Sequence, residues 1–75
     1  MPEKRGYVTI GKILTDVEIT KAANIFKNDN VNFHSRCLEE LVRPNMERIN
    51  RSLGQENSPD YIAYMVEYAM IRAFR

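Results

Sequence analysis

Cysteine is almost missing from this 75-residue chain, with Cys37 the only one. A lone thiol cannot make an internal disulfide, so packing alone must hold the fold, and such sparing use of cysteine suits a reducing compartment. Glycine and proline occur three times each and histidine once. The glycines at 6, 11 and 54 are scattered, and none opens a helix in the pattern of a phosphate-cradling loop. Charge of one sign is lacking too: eleven Lys and Arg stand against ten Asp and Glu, a net charge of +1. That balance gives no global field that would draw in nucleic acid or a membrane surface. No positively charged leader with an apolar run and cleavage site is present, and the expected location is cytoplasmic. There is no repeat, low-complexity tract or long linker. Seventy-five residues make one domain, near the lower limit at which a single core holds itself together. A balance of buried apolar area against chain entropy comes out near zero at this size, so a partner or a second copy is often needed.

What is present is helical periodicity. Residues 1–6, MPEKRG, form a polar tail. In 7–14, YVTIGKIL, Val8 and Ile10 alternate with Tyr7 and Thr9, the period of a short strand. Thr15 stands three residues before Glu18, the spacing of a capping box, and Ile19, Ala22, Ala23 and Phe26 recur on one face, which predicts a helix over 16–28. The turn-rich Asn28-Asp29-Asn30 separates it from 33–53, where Leu38, Leu41, Val42, Met46, Ile49 and Leu53 share an arc of about 140° on both sides of Pro44. The unbroken register predicts one long helix with a bend, Pro44 on its solvent side, and Gly54 as its C-terminal cap. Asn50-Arg51-Ser52 has the form of a glycosylation acceptor, but within that helix it reads as incidental. Ser58, Pro59 and Asp60 suit the start of a last helix over 59–75. The expected fold is mostly α, a small three-helix bundle with a short N-terminal strand. Its core would include Phe26, Leu38, Leu41, Val42, Met46, Ile49, Ile62, Met65, Val66 and Ala69.

Catalytic chemistry finds little purchase. His34 and Cys37, three residues apart, could touch on a helix, as a thiolate–imidazole pair or half a metal site would require. Two ligands do not make a site, and no other histidine or cysteine exists. Glu39, Glu40 and Glu47 each have an arginine four residues away, and Glu39, Arg43, Glu47 and Arg51 make an alternating ladder typical of a solvated helix face. The expectation is a protein without enzymatic activity, cofactor or metal.

The last helix is the unusual element. Ile62, Met65, Val66, Ala69, Met70 and Ala73 make a core stripe, but a second side carries Tyr61, Tyr64 and Tyr68 with Ile71, Arg72 and Arg75. Tyr and Arg are enriched where proteins bury anchors against partners, because each joins a large apolar body to a polar end. Against this stands the plainer reading, tyrosines wrapped over neighbouring loops with their hydroxyls in water. A membrane span is not expected, since the run is short and charged after its cap. The favoured function is a regulatory or interaction module that binds a protein partner, or a second copy of itself, through Tyr61, Tyr64, Tyr68, Arg72 and Arg75.

The order strand, helix, helix also resembles that of ribbon–helix–helix repressors, in which strands of two chains pair and enter the major groove. The resemblance lies in element order alone and covers about two thirds of the chain, with no residue motif and with an extra helix. It implies a dimeric DNA-binding regulator that reads bases through Arg5, Tyr7 and Thr9, with Lys12 nearby as a further basic contact.

Overall fold

The computed structural model describes residues 10–74. Helical turns of all kinds cover 86% of them, and no strand occurs among the described residues, so the fold class is mostly α. A helical turn at 10–13 leads into α1 (Asp16–Asn28), α2 (Phe33–Cys37), α3 (Met46–Leu53) and α4 (Pro59–Ala73).

The strand expected over 7–14 is corrected where it can be seen. Residues 10–13 are helical and the Leu14 amide donates to the Ile10 carbonyl at 3.1 Å; residues 7–9 lie outside the described residues. Ile10, Ile13 and Leu14 follow the helical spacing i, i+3, i+4, which places Ile10 and Leu14 together in the core at 0% and 6% exposure. The alternation of Val8 and Ile10 rests on two residues, and the longer helical pattern prevails.

α1 starts at the expected capping box: the Glu18 amide donates to Thr15 Oγ1 at 3.2 Å and the Thr15 amide to Glu18 Oε1 at 2.9 Å. The same carboxylate receives Arg48 from α3, whose Nη2 lies 2.6 Å and 2.7 Å from the two oxygens, while Nη1 donates to the Ile13 carbonyl at 3.1 Å. One guanidinium thus joins the N-terminal turn, the start of α1 and α3.

The long helix expected over 33–53 is corrected to two helices joined by a non-α passage. Leu38–Val42 form a π-helical turn and Arg43–Asn45 a 3-10 turn. The cause is Pro44, which has no N–H to give to the Glu40 carbonyl and whose ring crowds it. The chain widens before the ring, with the Arg43 amide reaching back five residues to Leu38 O, then tightens, with the Met46 amide reaching back three to Arg43 O. Asn45 leaves helical geometry at φ −120°, ψ 14°, and its side-chain Nδ2 donates to Leu41 O at 2.7 Å. Pro44 itself is exposed, and the apolar register survives across the passage: Leu41, Val42 and Ile49 are buried.

α3 ends at Gly54, whose φ of 80° is the left-handed value that favours glycine, and the Gly54 amide donates to Asn50 O at 3.0 Å. Asn50 is buried at 8% exposure and holds the following loop: its Oδ1 accepts from the Asn57 amide at 3.0 Å and its Nδ2 donates to Asn57 O at 3.3 Å. A side chain so placed is no glycan acceptor. The loop delivers Ser58, whose Oγ accepts from the Tyr61 amide at 3.2 Å, and Pro59 then opens α4.

The core joins all of these pieces. Leu41, Val42, Ile49, Ile62, Met65 and Val66 are buried as expected, whereas Phe26, Leu38, Met46 and Ala69 pack partly buried at its edge. Ile10, Leu14, Ile25, Phe33, Cys37 and Ala63 complete it from positions that the expected core did not include. Ala73, placed by periodicity in the α4 stripe, is exposed because it lies at the end of the helix.

Candidate functional site

α4 presents two unlike sides. Toward the core go Ile62, Ala63, Met65, Val66 and Met70, each at most 8% exposed. Away from it, Tyr61, Tyr64 and Tyr68 keep 49%, 59% and 44% of their surface exposed, although the helix has little charge to solvate that side. Arg72 is exposed in the last turn and Ile71 is half-buried; Arg75 lies outside the described residues. Tyr68 and Arg72 are also engaged within the chain. The structure therefore brings four of the five expected residues to one helix face.

Tyr64 is held from below. The His34 ring of α2 lies 4.3 Å from the Tyr64 ring, tilted by 37°, and His34 Nε2 is 3.2 Å from Asp60 Oδ1 at the start of α4. Asp60 sits where the helix dipole favours a carboxylate, and the imidazole ties that first turn to α2. His34 Nδ1 is buried with no hydrogen-bond partner among the described residues. Three residues on, Cys37 is fully buried, and burial, aided by the nearby Glu67 carboxylate, pushes its thiol up to about 12. A thiol that stays protonated at neutral pH is a core side chain, not a ready nucleophile. Among the described residues no three His, Cys, Asp or Glu converge as a metal site.

The far end of α4 is aromatic by another route. Phe74 stacks on Phe26 of α1 at 5.5 Å and 14°, Phe26 meets Phe33 edge-on at 5.5 Å, and Lys27 Nζ lies 5.7 Å over the Phe74 ring. Phe74 remains 47% exposed, an aromatic surface at the end of α4 that rests on α1. Sequence spacing gave no sign of the Phe26–Phe74, His34–Tyr64 or Arg48–Glu18 contacts, which join positions far apart in the chain.

A shallow groove between α1 and α2 is the other concavity of interest, lined by Val17, Lys21, Ile25, Arg36 and Glu40 among others. Its charges satisfy one another: Arg36 Nε is 2.8 Å from Glu40 Oε2, Arg36 also lies 3.6 Å from Asp29, and Lys21 is 3.9 Å from Glu40. The Arg36 hydrogen bond holds the Glu40 carboxyl below its ordinary range. The expected ladder is likewise a solvated stripe, with Glu39–Arg43 at 3.0 Å and Glu47–Arg51 at 3.9 Å. Of the residues expected to read DNA, Lys12 is exposed on the N-terminal helical turn, and Arg5, Tyr7 and Thr9 lie outside the described residues.

No helix among the described residues is long and apolar enough to cross a membrane. Compared with known proteins, the chain matches no family model, no curated protein and no solved structure.

Proposed function

We propose that the protein is a small helical interaction module whose last helix binds a protein partner through Tyr61, Tyr64, Tyr68 and Arg72, with Arg75 continuing the same face in the sequence. One observation carries this reading: three tyrosines spaced along one side of α4 remain about half exposed, at 49%, 59% and 44%, while Ile62, Ala63, Met65, Val66 and Met70 of the same helix are committed to the core. Tyrosine brings a large rigid apolar body and a hydroxyl at low entropic cost, which is why it recurs in binding surfaces. The His34 ring against Tyr64 orders one anchor in advance, so less freedom is lost on docking.

The test is the double variant Tyr64→Ala with Tyr68→Ala, assayed for capture of partners from cell extract and for self-association, with circular dichroism to confirm the fold. Buried aromatic anchors commonly cost about 2 kcal/mol or more on truncation, roughly thirtyfold in affinity. A folded double variant that keeps every association of the parent would remove this face from consideration.

A further inference from the structure

We draw no further inference here: the strongest candidate, the outer side of α4 that exposes Tyr61 and Tyr64, belongs to the binding face already described, and with Tyr68 and Arg72 engaged within the chain and Asp60 held against His34, nothing in the structure shows what covers it.

Discussion

Arg48→Met removes the side chain that hydrogen-bonds the N-terminal helical turn and the start of α1 to α3, leaving the apolar contacts of Ile10 and Leu14 in place. Three hydrogen bonds go with it, at 2.6 Å and 2.7 Å to Glu18 and 3.1 Å to the Ile13 carbonyl. The Glu18 side chain is only 15% exposed, so losing its cation leaves a largely buried carboxylate with the Thr15 amide as its remaining donor. Hydrogen bonds to charged groups contribute about 1.5–3 kcal/mol each, but Arg48 is itself 36% exposed and water can replace part of what is lost. A net loss of about 2–3 kcal/mol is expected. A domain of this length has a total stability of about 4–11 kcal/mol, so the change is a large fraction of the whole. The melting temperature should fall by about 10–20 °C in a circular dichroism melt. Because Met keeps most of the aliphatic stem, the loss should be polar in origin, and a double-mutant cycle with Glu18→Gln should give a coupling of about 1 kcal/mol or more. A Tm within about 3 °C of the parent, or no coupling, would refute the assignment of Arg48 as the anchor of the N-terminal turn.

Leu41→Ala empties a site that is 1% exposed at the centre of the core and should cost about 2–5 kcal/mol in chemical denaturation, enough to unfold much of the population. Pro44→Ala should change stability by less than about 1 kcal/mol, because the ring is exposed and the restored N–H offsets the loss of the preset φ; a larger loss would show that the fold needs the π-to-3-10 passage that the ring imposes. Cys37 is expected to resist thiol reagents at pH 8 until the chain is unfolded in denaturant. Its thiol is raised from 9.0 to about 12 in the folded state, so its contribution to stability is intact below about pH 9 and is lost as pH rises toward 12. In stability measurements over that window, Cys37→Ala should show a shallower decline than the parent; equal slopes would mean that the thiol is not buried in solution.

Local signals were legible in the sequence because they depend on neighbours in the chain. The Thr15–Glu18 capping box, Gly54 at the end of α3 and the Ser58-Pro59 start of α4 all stand where spacing places them. The side of α4 that carries exposed tyrosines follows from the same periodicity. At Pro44 the apolar register was right and the backbone was not: side chains can keep one face while the hydrogen-bond ladder widens and then tightens beneath them. Over residues 10–14 the helical spacing of Ile10, Ile13 and Leu14 outweighs the alternation of Val8 and Ile10, which spans two residues only. The contacts that order the candidate site, His34 under Tyr64 and Phe74 on Phe26, join residues 30 or more apart in sequence, and no periodicity reports them.

The most direct test of the binding surface compares the parent with the Tyr64→Ala, Tyr68→Ala variant, shown by circular dichroism to be folded, for capture of proteins from cell extract and for self-association by sedimentation. The account predicts that the variant loses roughly thirtyfold in affinity in at least one association that the parent makes. It is contradicted if the folded variant keeps every association of the parent at unchanged strength.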